Sequence, residues 1–486
     1  MPEKIQREGI DLAMQRGIAT EITAQVLIHS TRGSTLQILA KSLHNFSERY
    51  RRFFKNGLAD HQGFTFDSGS SFPTGYVLRL ISDQIGHDLD VLLRINGQRS
   101  LGEQFPLIGQ ALRIADELAY RALQPAIDVK LLRPTTVITY LEKSAHIRVI
   151  PYAPVALIGF PFRTLAPLKA AIAGAGPTSL PQDAVETAVA SADDQFNDLL
   201  ALPHEIGHYL YWHAPLYSQT MRNPLEHYLR QQPAWLRDWN EEIYADVYSC
   251  LIGGPLIAHN FQKVLITDSP EGLLHNDGSH PASALRGFVY VDTLKALGRF
   301  PNAYKALDEQ WRKWLQPLGI DGSTHLPLAG DKVTSIDEAR VVVSELVRTI
   351  LATALFKVFH QIYQLEPATG SAQVIWSQDL SLEGAPLDDL YSQFVPTLAQ
   401  QSVPELALEG EDEQFYRLEE ATDKILLDHL ELGKTQTWLD EFMEQQAAKL
   451  PFNIPLPLWT AALKGLGWLT GPTGPGNVKT LVGETS

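Results

Sequence analysis

The pentapeptide His204-Glu205-Ile206-Gly207-His208 constrains this chain more than any other stretch of its sequence. On a helix the two histidines lie about 40° apart on one face, so both imidazoles can reach a single metal ion. Glu205 then projects to the side of that ion, where a base for a metal-activated water is needed. The spacing therefore predicts a metal site carried by a helix.

A hydrolytic zinc site takes three protein ligands, and the sequence offers several sources for the third. His213 follows the pentapeptide, but on a continuous helix it points about 180° away from His204, which disfavours it. His227, in the connection that follows, is a reserve candidate. The preferred source is a carboxylate on a second helix.

Glu242 and Asp246 are four residues apart and share one face of a predicted helix that is otherwise apolar. Two carboxylates buried on such a stripe are costly without a cation or hydrogen-bond donors. A zinc ion for Glu242 and an imidazole N–H for Asp246 would supply both. Glu241 has Ala245 at the equivalent position, so Glu242 is the better candidate.

The order HExxH and then ExxAD resembles the gluzincin zinc metallopeptidases. A third match follows in Ser279-His280-Pro281, with Arg286 six residues after the histidine. That combination is similar to the family of CAAX-prenyl proteases and heat-shock membrane metallopeptidases, over roughly residues 195–290.

The resemblance implies a site in which His204, His208 and Glu242 hold Zn²⁺ and Asp246 fixes the tautomer of His204. Glu205 would act as the general base in peptide-bond hydrolysis. His280 is the candidate for stabilising the tetrahedral oxyanion.

Arg286 would hold the His280 segment in place by pairing with a buried carboxylate. The substrate of the protein would be a protein or a peptide. Two alternatives stay open from the sequence: a zincin-like binding or structural protein, and a zinc hydrolase of a non-peptide amide.

Composition limits the partners and the cellular compartment that we expect for this protein. The formal net charge of −16 disfavours nucleic acid as a partner. Cys250 is the only cysteine, which fits a reducing compartment, and we expect it to be a buried small hydrophobe. We find neither a secretory signal nor a membrane span and therefore predict a cytoplasmic protein, unlike the membrane-embedded members of the similar family. The sequence identifies no regulatory or inhibitory partner.

The predicted fold class is α+β and predominantly α, with a zincin-like core flanked by helical regions. The predicted regions are a helical region at 1–125, the metallopeptidase core at 126–295, a second helical region at 296–470 and a disordered tail at 471–486. Residues 165–182 are rich in Ala, Gly and Pro and are a candidate lid.

Apolar β-branched runs predict a small sheet before the metal helix, with strands at Thr135–Leu141, His146–Ile150 and Val155–Phe160. The last strand could be an edge that pairs with an extended peptide, or a fully paired inner strand. Pro203 predicts a kink in the metal helix or its start nearby, and Pro215 predicts its end.

Helical periodicity predicts further helices on both sides of the core. They are Thr35–Phe54, Val77–Arg94, Phe288–Gly298, Ala303–Trp314, Ile336–Tyr363 and Phe415–Leu432.

Overall fold

The computed structural model describes residues 32–43 without 41, 89–165 without 103, 144–145 and 149–152, and 198–363 without 218, 279, 299 and 329–332, together with 403 and 406. Within these residues the protein is mostly helical with a small sheet, which confirms the predicted α+β class at that level. The predicted helix 415–432, the tail 471–486 and the candidate lid, apart from Leu165, lie outside the described residues.

In the sequence, the α-helices and strands lie on both sides of the predicted metal helix. The elements are α1 (Pro106–Asp128), β1 (Thr136–Glu142), β2 (His146–Arg148), β3 (Val155–Pro161), α2 (Leu202–Tyr217), α3 (Gln219–Leu229), α4 (Ala234–Asp238), α5 (Asn240–Leu265), α6 (Pro270–Leu274), α7 (Ser283–Leu297), α8 (Pro301–Leu315), β4 (His325–Pro327), β5 (Val333–Ser335), α9 (Ile336–Ala352) and α10 (Phe356–Tyr363). Further helical turns lie at 33–40 and 89–102.

The three predicted strands form one sheet in the order β1-β3-β2. β3 runs parallel to β1 and antiparallel to β2, and it is buried along its whole length. The prediction that β3 is an edge strand was therefore wrong, and the alternative of a paired inner strand is confirmed. Because β3 inserts between its two predecessors, β2 has a neighbour on one side only among the described residues.

Pro203 lies at the start of the metal helix, whereas Pro215 lies near its end without terminating it. α2 begins at Leu202, so Pro203 lies in its first turn, where a missing N–H costs no helical hydrogen bond. The predicted start of the helix near this proline is therefore confirmed. α2 continues through Pro215 to Tyr217, so the predicted end at Pro215 was wrong, and the connection that follows contains α3.

The C-terminal helices match their predicted positions with two differences. α7 begins five residues before the predicted Phe288, and the predicted helix 336–363 is divided into α9 and α10 at residues 353–355. α9 starts with a capping box, in which Ser335 accepts from the N–H of Glu338 and the Glu338 side chain accepts from the N–H of Ser335.

α2 and α5 approach each other most closely at Gly207, the fourth residue of the pentapeptide. A Cβ atom at this position would lie 2.6 Å from the Cα of Ala245, closer than any real Cβ contact. Only glycine allows the two backbones to meet here. The absence of one side chain therefore sets the distance between the helix that carries both histidines and the helix that carries Glu242.

We expect Gly207→Ala to lower the free energy of unfolding by about 1–3 kcal/mol, because the added methyl forces the two helices apart. The matched control is Gly97→Ala, in an exposed helix where a Cβ meets no atom within 4 Å. There the better helix propensity of alanine should be neutral or stabilise by up to about 1 kcal/mol. Urea unfolding of both variants measures the difference, and equal effects at the two positions would contradict the close-contact explanation.

Candidate metal centre

Three side chains from α2 and α5 bring potential ligand atoms to one point. Nε2 of His204 lies 3.1 Å from Nε2 of His208. The Glu242 carboxylate completes the group, with Oε2 at 3.5 Å from Nε2 of His204 and Oε1 at 3.5 Å from Nε2 of His208. All three residues are buried, and they form a group that could hold a metal ion.

The separations suit a tetrahedral metal ion. Ligand atoms at 2.0–2.1 Å from such an ion are about 3.3–3.4 Å from one another, close to the separations found among these three residues. Two imidazoles and one carboxylate are also the ligand set of several catalytic zinc sites. The residues present therefore fit a zinc ion in donor type and in spacing.

A charged network surrounds the carboxylate side of this group. Nδ1 of His204 lies 3.0 Å from Oδ1 of Asp246, which is fully buried. Arg286 donates to both oxygens of Asp246 at 2.8 Å and to Oε2 of Glu242 at 2.9 Å. Tyr290 donates a further short hydrogen bond to Asp246. The Asp246 carboxylate is therefore satisfied on every side, and the guanidinium that the sequence predicted to pair with a buried carboxylate pairs with two.

This network keeps the carboxylates ionised. Burial alone would raise the pKa of Glu242, but the charges of His208, Arg286 and His280 hold it well below its usual value. Burial alone would likewise lower the pKa of His204, but its interactions with the carboxylates of Asp246 and Glu242, which accept from the imidazole, raise it to about 9. The site thus favours positive charge on the imidazoles, which a metal ion would have to replace.

His208 has a carboxylate partner of its own. Oε1 of Glu241 lies 2.9 Å from Nδ1 of His208, on the side of the ring away from the ligand group. From the sequence, Glu241 was weighed only as an alternative to Glu242 for the third ligand, so its contact with His208 was not predicted. The signal was available in the adjacency of Glu241 to Glu242 at the start of one helix.

Glu205 lies beside the ligand group, and one of its carboxylate oxygens has no hydrogen-bond partner among the described residues. The residue is 5% exposed and lines the cleft next to the two histidines. Its Oε2 is buried and makes no hydrogen bond to any described residue. A buried carboxylate oxygen without a donor is costly, and such atoms in native proteins usually have a functional reason.

His280 reaches the same cleft from the loop before α7. Its Nε2 lies 3.2 Å from Oε1 of Glu242, and its Nδ1 lies 2.7 Å from Oδ2 of Asp277. Burial would lower its pKa, but the charge of Glu242 and the hydrogen bond to Asp277 raise it to about 10. The segment also forms the turn before α7, although Ser279 is outside the described residues.

Asp277 was missed by the sequence analysis, although it precedes His280 by only three residues. It accepts from the backbone N–H of His280 at 2.7 Å as well as contacting its ring, so one carboxylate orients the whole residue. The signal that could have identified Asp277 is an acidic residue three positions before a histidine, with Gly278 between them in a predicted turn.

The second half of α5 returns to the cleft because the helix reverses direction. Positions 242 and 261 are 19 residues apart and would be about 28 Å apart along a straight helix. The rings of Phe261 and His204 are nevertheless only 5.3 Å apart between centroids, and Glu242 contacts His204 as well. The reversal occurs at Gly254, with φ 58° and ψ −144°, a conformation open to glycine.

The resulting cleft has a volume of about 320 Å³ and contains the ligand group. Ala201, Phe261 and Val264 give it an apolar wall, while Lys143 and Arg163 contribute positive charge to its lining. A bound molecule can therefore approach the ligand group from solvent.

The other candidate residues lie away from this site. His213 is buried and stacked on Tyr209 with ring centroids 3.9 Å apart, and burial lowers its pKa to about 3. His227 is exposed and contacts Gln231. Cys250 is buried and free, as expected for a small hydrophobe.

Comparisons with known proteins add no relative: no family model, no curated protein and no solved structure matches the chain. No helix among the described residues is long and apolar enough to cross a membrane.

We expect Glu242→Ala to lose its metal at low micromolar free zinc, because the two imidazoles alone form an incomplete site. Glu241→Ala should stay loaded under the same conditions, because it retains all three ligand atoms. Metal analysis after dialysis against buffered zinc distinguishes the two variants. Equal retention by both would mean that Glu242 is not a ligand.

Proposed function

We propose that this protein is a zinc-dependent endopeptidase with a gluzincin-like site in a zincin-like core. His204, His208 and Glu242 would hold the ion, and Glu205 would be the general base. The observation that carries the proposal is the buried, unpartnered oxygen of Glu205 beside a ligand group of matching geometry. A metal-activated water would give this oxygen the donor that the described residues do not.

The ligand group favours a catalytic site over a structural one. Structural zinc sites are usually closed by four protein ligands, whereas catalytic sites keep one position open. Here three ligands line an accessible cleft, and His280 faces them without belonging to the ligand group. When bound, a zinc ion supplies Lewis acidity that polarises a carbonyl and lowers the pKa of water.

The residues of the chain then divide the remaining work. Glu205 accepts a proton from the attacking water and returns it to the leaving amine. His280, oriented by Asp277, donates from Nε2 to the oxygen that becomes negative in the transition state. Asp246 and Arg286 hold His204 and Glu242 in position.

The sheet offers a place for an extended peptide. β2 has one free side among the described residues and packs against α2, the helix that carries the histidines. A peptide that pairs with this edge would gain backbone hydrogen bonds beside the ligand group. This supports a protein or peptide as the substrate.

We expect Glu205→Gln to keep its fold and its zinc but to lose hydrolysis by a factor of about 10²–10⁴, because the amide has the shape of the carboxylate without its basicity. Cleavage of dye-labelled casein by the zinc-loaded full chain measures the loss. Glu309→Gln, an exposed helical position, is the matched control and should cleave at the normal rate. Near-normal cleavage by Glu205→Gln would place the base elsewhere.

We expect His280→Ala to lower kcat and kcat/KM together, by about 10²–10³, with zinc content unchanged. This pattern marks an interaction that is made only in the transition state. The control is His275→Ala, an exposed histidine five positions earlier in the same loop. An unaffected kcat, or a loss confined to KM, would remove His280 from the proposed mechanism.

A further inference from the structure

The first residues of α5 supply three carboxylates to the two histidines of α2. Glu242 contributes to the ligand group, Asp246 contacts Nδ1 of His204, and Glu241 contacts Nδ1 of His208. Each histidine thus has a separate carboxylate on its outer nitrogen. We propose that Glu241 is a positioning residue that orients His208 for metal binding, an inference that rests on the proposed zinc site.

The orientation follows from the two short contacts of the His208 ring. A hydrogen bond from Nδ1 to Glu241, at 2.9 Å, places the proton on that nitrogen and leaves the lone pair on Nε2. At His204, Oδ1 of Asp246 lies 3.0 Å from Nδ1, which leaves Nε2 facing the ligand group. Two lone pairs 3.1 Å apart repel each other unless a cation lies between them. The outer carboxylates therefore prepare both rings for one shared metal ion.

Glu241 differs from Asp246 in its surroundings, and this sets the expected size of its effect. The Glu241 side chain is 24% exposed, whereas Asp246 is fully buried and is also held by Arg286. Water can partly replace a half-exposed carboxylate. Loss of such a partner typically weakens metal binding by about 10–100-fold, without abolishing it. A loss of this size is consistent with the zinc retention that we expect of Glu241→Ala at low micromolar free zinc.

A merely structural role would have a different signature. Glu241 lies in the first turn of α5, where a negative charge also stabilises the helix dipole. Glu241→Gln removes that charge but keeps an oxygen that can accept from Nδ1 of His208. Stabilisation of the helix alone would move the melting temperature of both variants and leave the zinc affinity unchanged.

The test is zinc affinity of the full chain, measured by competition with a chromophoric chelator. We expect Glu241→Ala to bind about 10–100-fold more weakly than the unmodified protein. Glu241→Gln should recover most of this loss, and Glu309→Ala should show none. In the cobalt-substituted protein, Glu241→Ala should shift the visible absorption bands and Glu241→Gln should restore them, because the bands report the orientation of the ligands.

Unchanged affinity and an unchanged cobalt spectrum in Glu241→Ala would overturn the inference while leaving the proposed function intact. If the unmodified protein does not compete for zinc, both fall. If the affinities follow the expected order but the unmodified protein cleaves no peptide, the positioning role stands and the peptidase proposal fails. Should Glu241→Ala not fold, Glu241→Asp withdraws the carboxylate by one methylene and carries the same expected loss.

Discussion

The close contact between α2 and α5 is the constraint on which the site depends. Gly207 lets the two backbones meet at Ala245, and residues on either side of that contact then face one another. One helix contributes two imidazoles and the other contributes the carboxylates that surround them. A wider spacing would separate the imidazoles from the carboxylates of Glu241, Glu242 and Asp246, and buried carboxylates are costly when they lose such partners.

Charge is the second constraint, and it favours a bound cation. Among the described residues, the carboxylates of Glu241, Glu242 and Asp246 lie against the two histidines of α2. The guanidinium of Arg286 and the imidazole of His280 offset part of this negative charge, and an excess of negative charge remains in a largely buried region. Protonated histidines relieve this excess in part, which explains why the pKa of His204 rises to about 9. A bound cation would offset it further while leaving both Nε2 atoms as ligands.

Local periodicity was sufficient to predict the strands, the metal helix and the pairing of Glu242 and Asp246 on one face, because each depends on residues close in sequence. The order of the strands was not predictable, since β3 inserts between β1 and β2 through contacts that no local pattern encodes. The reversal of α5 was not predicted, for a related reason. Gly253-Gly254-Pro255 marks a break, but its direction depends on a backbone conformation that the sequence does not specify.

The same distinction explains what was missed within the site. Glu241 and Asp277 contact residues that the sequence had already identified. Their positions in the sequence are typical of other roles, since acidic residues are common in the first turn of a helix and in turns. Phe261 reaches His204 only because α5 folds back. The placement of the ligand group and its neighbours around one point follows from their contacts.

X-ray absorption at the zinc edge tests the central claim most directly, because it reports the atoms around the ion without reference to activity. The purified protein should contain one zinc ion per chain, with two imidazole nitrogens at about 2.0–2.1 Å and oxygen ligands at about 2.0–2.2 Å. The Glu242→Ala protein, reloaded at high zinc, should lack one of the oxygens or replace it with water. A sulfur ligand at about 2.3 Å, a single imidazole, or no zinc at all would contradict a site built from His204, His208 and Glu242.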